Sequence, residues 1–247
     1  MSWCEDPADL FRLATLVMSD LNPFAVVDAA YLYGHTPDNE LSILEAGLEL
    51  YQSGATKNLV LCGGGPYLPP NASSDAKVSY SGCGAWRKWL ESHGVKSEDI
   101  YSIPRPPLSH TGTEAYRFVR LAKICEWKVI TVVAWHTLRA FTCTVACALR
   151  NYPELLIYAR PGTPTPWDEE VLSSQGAVFG TRFDAGINGE WERLNKTWGN
   201  VYDVIGAHEV VEYVKHRDTS ARRLLVESPQ IAVSAADKCI ENGPFLS

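Results

Sequence analysis

The sequence predicts an α/β protein: a Rossmann-like three-layer α/β/α sandwich on a mostly parallel sheet, with a C-terminal helical extension. Three observations carry this. Short apolar runs alternate with stretches of helical periodicity five times along the chain. The strongest of those runs are rich in β-branched residues, and the connections between elements are short, which favours parallel strands joined by crossover helices.

Taken in order, Asp9 to Ser19 reads as an amphipathic helix, broken by Asn22-Pro23. Ala29 to Tyr33 is a buried strand ended by Gly34. Leu41, Leu44, Leu48 and Tyr51 recur at helical spacing within Asn39 to Tyr51, and Gly54 stops that helix. Leu59 to Cys62 is a second buried strand, running into Gly63-Gly64-Gly65-Pro66 and a polar loop that lasts to about Lys77. Helix resumes from Gly82 to His93, with Gly94 as the residue beyond its cap. Ile100 to Ile103 is a short strand, and Pro104 to Pro107 exclude regular structure after it. Thr113 to Cys125 is helical, Lys128 to Ala134 is the clearest strand, and His136 to Leu149 is the helix that follows. Leu155 to Ala159 is the last core strand, Gly162 to Pro166 opens an irregular stretch, and Glu190 to Lys215 is largely helical. The organisation expected is a lead-in over 1–27, a core over 28–161, a helical extension completing the domain over 162–218, and a tail over 219–247.

Composition narrows the functional classes. A net charge of −7 with pI ≈ 5.4 argues against an electrostatic grip on nucleic acid or on an anionic membrane. No window approaches 18 apolar residues, so no membrane span is expected. Met1 to Asp9 carries acidic residues and no basic stretch, unlike a signal peptide. Seven cysteines without a CxxC pair read as reduced, mostly buried thiols. The sequons at Asn71 and Asn195 matter only on a secretory route, so the expectation is a cytoplasmic protein.

An open parallel sheet takes its ligand beyond the carboxyl ends of the strands, where strand order reverses. The segments there are Gly34-His35, Cys62 to Pro66, Ser109 to Glu114 and Trp135 to Arg139. Gly63, Gly64 and Gly65 can turn the backbone to present several N–H donors to an anion, or can serve the turn alone. They match neither GxGxxG nor GxxxxGK[ST]. His136 stands at a strand-to-helix junction with Arg139 three residues on. A helix amino terminus favours an anion, and an arginine there is repelled by the dipole unless a phosphate or carboxylate lies between them. The alternative is a surface arginine beside a hydrogen-bonded histidine. Thr111, Thr113 and Glu114 open the next helix as ligand contacts, or as a Thr111-x-x-Glu114 capping box. On the ligand reading, Arg139→Ala weakens binding and barely changes the stability of the unliganded protein.

Four segments together resemble the YdcF/SanA/ElyC-like family, a domain of unknown function. They are Asp28 to Gly34, Leu59 to Gly64 with Cys62 in place of a serine, Thr111 to Ala115, and Thr131 to Ala140 with its His-x-x-Arg-Ala pattern. The likeness covers about Asp28 to Pro161, with a fainter echo in the Glu190 to Arg217 helices. It implies a Rossmann-like core whose ligand site is formed by these same loops. Members are associated with bacterial envelope maintenance and with nucleotide-like ligands such as S-adenosylmethionine. The chain departs from the pattern near Ile43, where the family has an arginine, and near Gly82, where it often has a glutamate.

The expectation is a protein that binds a small anionic, nucleotide-like molecule through Gly34, Gly63, Gly64, Gly65, Thr111, Thr113, Glu114, His136 and Arg139. S-adenosylmethionine or a phosphorylated metabolite is the ligand class, and no built-in metal motif (HxH, HExxH or DxD) is present. Two alternatives stand beside it: a hydrolase or transferase using His136 for proton transfer, with Asp28, Asp38, Glu40, Glu114 and Asp168 as the available carboxylates, and a non-catalytic scaffold.

Overall fold

Every residue is buried in strands β1 (Ala29–Leu32), β2 (Leu59–Cys62) and β4 (Val129–Ala134). Strands without an exposed face must be covered on both sides, which is why they read as unbroken apolar runs rather than alternating ones. The computed structural model of the protein describes residues 7–20, 22–24, 26–67, 80–104, 110–172, 178–197 and 205–227. With β3 (Ile100–Ile103) and β5 (Leu156–Pro161) these strands form one parallel sheet in the order β3-β2-β1-β4-β5. The Rossmann-like α/β/α sandwich is therefore present. Strand order reverses between β1 and β4, which pair from Ala29↔Ile130 to Leu32↔Val133.

Alternation along the strands sorts the core into two layers. Ala30 and Leu32 pack with Ile43 and Leu44 of α2 (Pro37–Gln52) and Trp86 and Leu90 of α3 (Cys83–Ser92). Tyr31 and Tyr33 face the other way, onto Phe118 of α4 (Thr111–Ile124) and Phe141 of α5 (Thr137–Asn151). Helix α1 (Pro7–Met18) and helix α7 (Ala207–Glu227) complete that second layer through Leu13, Val17, Val210 and Val214. On the first side α2 lies so close to β1 that a Cβ on Gly47 would meet Leu32 Cδ2 at 2.6 Å.

Beyond β5 the structure adds what periodicity did not reveal. The antiparallel pair β6 (Glu170–Leu172) and β7 (Val178–Thr181) leads into a π-helical segment, Asp184–Gly189, and then into α6 (Glu190–Thr197). Three-residue pairing with a register shift at Val171/Leu172 leaves no alternation to read. Helix α7 runs on to Glu227 with Ala221 buried, so residue 219 lies inside a helix rather than at the start of a tail. Positions 68–79, Ser109, Trp198, Cys4, Cys239 and the chain from 228 lie outside the described residues.

One ion pair ties the ends of the described chain together. Asp20, just after α1, accepts from both terminal nitrogens of Arg217 on α7, each at 2.8 Å. The same carboxylate accepts from Ala159 N on β5, and Arg217 also donates to the Ile157 carbonyl and lies over the Tyr158 ring. Both side chains are at least 95% buried. Removing one partner strands the other charge in the interior. Asp20→Ala is expected to lower unfolding free energy by about 3–5 kcal/mol, measured by urea denaturation at pH 7; a loss below about 1 kcal/mol would mean that water reaches Arg217.

Candidate functional site

Parallel pairing of β1 with β4 delivers two chain segments side by side at the point where strand order reverses. Tyr33 N still donates to Val133 O at 2.9 Å, so Gly34, His35 and Thr36 leave the sheet next to Trp135, His136 and Thr137. The ring centroids of His35 and His136 are 5.2 Å apart, Trp135 lies 5.2 Å from His35, and Tyr33 meets His136 edge-on at 5.8 Å.

His136 is the N-cap residue of α5, yet its side chain caps nothing. It is 4% exposed, and neither ring nitrogen has a hydrogen-bond partner. A buried polar atom without a partner costs about 1–3 kcal/mol, so such atoms need a reason. Helix α5 also has no acidic residue in its first turn, whereas α2 has Asp38 and Glu40 and α4 has Glu114. Its free N–H groups and positive dipole end are thus left without a compensating charge from the helix itself.

Arg139 adds a second positive group at the same place. Its side chain is 90% buried, and its charged partner among the described residues is Glu190, the first residue of α6. Arg139 Nε stands 3.1 Å from Glu190 Oε2, but neither atom achieves hydrogen-bond geometry. Arg193, one turn on, reaches Glu190 Oε1 at 3.5 Å. The two histidines register this field. Burial first, then Arg139, Arg193 and Arg182, push His35 down to about 3. Burial, Arg139, His35 and Arg193 hold His136 well below the usual histidine range. Both rings are neutral at pH 7.

The remaining sequence-predicted residues divide. Glu114 is buried and accepts from Tyr31 Oη at 3.0 Å. Helix α4 is capped differently from the Thr111-x-x-Glu114 expectation. His110 is the N-cap: its Nδ1 accepts from Thr113 N, and Thr113 Oγ1 accepts from His110 N. Thr113 is therefore committed to the cap, while Thr111 is the buried first residue of the helix. His110 is lowered by burial and by Arg139, so α4 starts within reach of the same charge.

The glycine turn serves structure. Gly63 N donates to Ile103 O, and Gly64 O accepts from Cys83 N, the first residue of α3. A Cβ on Gly82 would meet Pro66 N at 2.8 Å, and its φ of +96° excludes most side chains at that position. Gly34 packs against the Tyr80 ring and Cys62, on the α3 side. Ile43 is wholly core. Of the scattered carboxylates, Asp28 lies at the opposite end of the sheet, where it accepts from Lys128 N and Val129 N. Glu40 accepts from Trp86 Nε1, Asp38 from Leu172 N, and Asp168 is exposed.

Sequence reasoning missed His35, Glu190 and Arg193 as site residues. His35 had a signal, since it follows the glycine that ends β1. Glu190 and Arg193 had none, because only the fold brings a residue 51 positions beyond Arg139 to that side chain. Buried Arg182 was also unforeseen; it ties the β6–β7 region to Asn39 Oδ1 and the Asp38 carbonyl at the start of α2.

No protein-family model matches the chain, and no curated protein matches it. Among the described residues no helix is long and apolar enough to cross a membrane, and no group of three or more His, Cys, Asp or Glu is placed to hold a metal.

The histidines give the site a pH signature. Their folded pKa values lie below the unfolded value of about 6.5, so their burial is fully tolerated above that pH. Stability is then lost as pH falls below it, by about 1.4 kcal/mol per pH unit for each histidine. Urea denaturation between pH 7 and 5 is expected to show this slope, and His136→Gln to remove one histidine's share of it, since His35 and His110 keep theirs. An unchanged slope in His136→Gln would show that the ring is hydrated.

Proposed function

We propose that the protein binds a small anionic, nucleotide-like molecule in the crevice between the carboxyl ends of β1 and β4. The observation that carries this is His136: a neutral, buried ring with two unpartnered nitrogens, at a helix start that lacks an acidic residue and holds a buried arginine. An anion there accepts from the ring N–H of His136 and from Arg139, and meets the α5 dipole. The motif order shared with the YdcF/SanA/ElyC-like family supports the same location, and S-adenosylmethionine and phosphorylated metabolites belong to the ligand class.

Binding is favoured over catalysis by one feature. A general base or acid is held in its working tautomer by a third group, as in nucleophile–base–orienter arrangements. Neither nitrogen of His136 has such an orienting partner. The reading extends to a cytosolic setting, on the unbridged thiols of Cys83, Cys125 and Cys143.

Arg139→Ala alone is a poor test, because it leaves the buried Glu190 with only the longer contact from Arg193 to Oε1 at 3.5 Å. Contrary to the sequence expectation, it should destabilise the unliganded protein, by at most about 3–5 kcal/mol. Replacing both partners, Arg139→Gln with Glu190→Gln, keeps the interior neutral. Thermal denaturation with inorganic phosphate, a nucleoside monophosphate or S-adenosylmethionine should stabilise the wild type by about 2.7 kcal/mol at a hundredfold excess over Kd. The shift should vanish in the folded double variant. Retention of the shift there, or no response to any anion, would contradict the reading.

A further inference from the structure

We propose that the ligand of this crevice carries hydroxyl groups beside its anionic group, in the manner of a sugar phosphate, and that the Glu190 carboxylate is the group that reads those hydroxyls. This rests on the anion site proposed above and specifies the rest of the molecule bound there.

Glu190 is more than an ion-pair partner. Its side chain is 6% exposed, and Oε2 is a buried acceptor with no hydrogen bond. An ion pair built only for stability would align its Nε–H with that oxygen, because an imperfect buried pair does not recover the desolvation of its two charges. Here donor and acceptor stand 3.1 Å apart and misaligned. Four atoms here therefore lack hydrogen bonds: the two ring nitrogens of His136, one a donor and one an acceptor in the neutral ring, with Nε of Arg139 on α5, and the carboxylate oxygen of Glu190 on α6. A bare anion satisfies donors and leaves the carboxylate oxygen as it was. A ligand that satisfies all of them presents acceptors to Arg139 and to the ring N–H of His136, and donors to the other ring nitrogen and to Glu190.

The donor's chemistry follows from the charge around it. Arg139 and Arg193 both lie against Glu190, and together with Arg182 they bias His35 toward the neutral form. An ammonium would meet two guanidiniums for one carboxylate, whereas a hydroxyl donates without adding positive charge. A carboxylate can take two hydrogen bonds from adjacent hydroxyls, which are stronger than neutral ones because the acceptor is charged. The hydroxyls come from the same small molecule as the anion, because Arg139 links the two groups directly.

The test uses the full chain and three probes: inorganic phosphate, ribose 5-phosphate and 2-deoxyribose 5-phosphate, titrated by calorimetry into the wild type and Glu190→Gln. Ribose 5-phosphate is expected to bind the wild type at least about tenfold more tightly than the deoxy analogue, the range for one hydrogen bond to a charged group. In Glu190→Gln that gap should close to about twofold. Inorganic phosphate should bind the variant at least as tightly as the wild type, since a negative charge beside Arg139 has gone. Equal affinity of the wild type for the two sugar phosphates, with phosphate competing, overturns this inference and leaves the anion site standing. A gap that persists in Glu190→Gln also overturns it, because the hydroxyl is then read elsewhere. Binding of none of the three probes overturns both. Should Glu190→Gln fail to fold, Glu190→Asp, which keeps the charge and withdraws it by one methylene, is expected to narrow the gap, and an unchanged gap in that variant overturns the inference.

Discussion

Burying a guanidinium under the amino terminus of a helix is unfavourable twice over, through lost hydration and through repulsion by the helix dipole, and the fold accepts both at Arg139. Much of the region is arranged around that charge. Glu190 is brought from a distant helix to meet it, Arg193 follows on the same helix, and His35 and His136 stay neutral beside it. The opposite charge supplied by the protein is imperfectly placed. That incompleteness, rather than the fold class, is what singles out this crevice.

The sheet is what makes such an arrangement affordable. Strands β1 and β4 are central, parallel and buried on both faces, so the segments leaving them are fixed by four registered residue pairs. Close packing of α2 on Leu32 through Gly47 and the Asp20–Arg217 lock between α1 and α7 hold the two helical layers. Core polar groups next to the site are paired in two cases: Tyr31 donates to Glu114, and Tyr33 pairs with Thr144 at 2.7 Å. Against that background the unpartnered atoms of His136, Arg139 and Glu190 stand apart from their immediate surroundings.

Much of this was legible in the sequence, for a physical reason. Fully buried parallel strands must be apolar throughout, so Leu59–Cys62 and Val129–Ala134 announced themselves, and the order of strands and helices limited the site to a few loops. His136 and Arg139 were legible because they sit at the start of a helix directly after a strand. The Glu190 partnership was not, since it depends on the path of the chain through β6, β7 and the π-helical segment, whose short pairing leaves no periodic signal. In the glycine turn the Gly63 N–H is given to Ile103 O and the Gly64 carbonyl to the first turn of α3, while Gly82 is glycine because the turn crosses it. The cap of α4 was misassigned by one residue, because a histidine side chain replaced the usual threonine as acceptor.

The central claim concerns the ring nitrogens of two histidines, and they can be observed directly. Proton–nitrogen correlation spectra of the His35 and His136 side chains, recorded at pH 7 while inorganic phosphate is added, report the tautomer and hydrogen bonding of each ring. The account predicts two neutral rings in the free protein, with the His136 nitrogens shifting saturably as phosphate binds. A His136 that titrates near 6.5 in the free protein, or that is unmoved by phosphate while other residues respond, would contradict it.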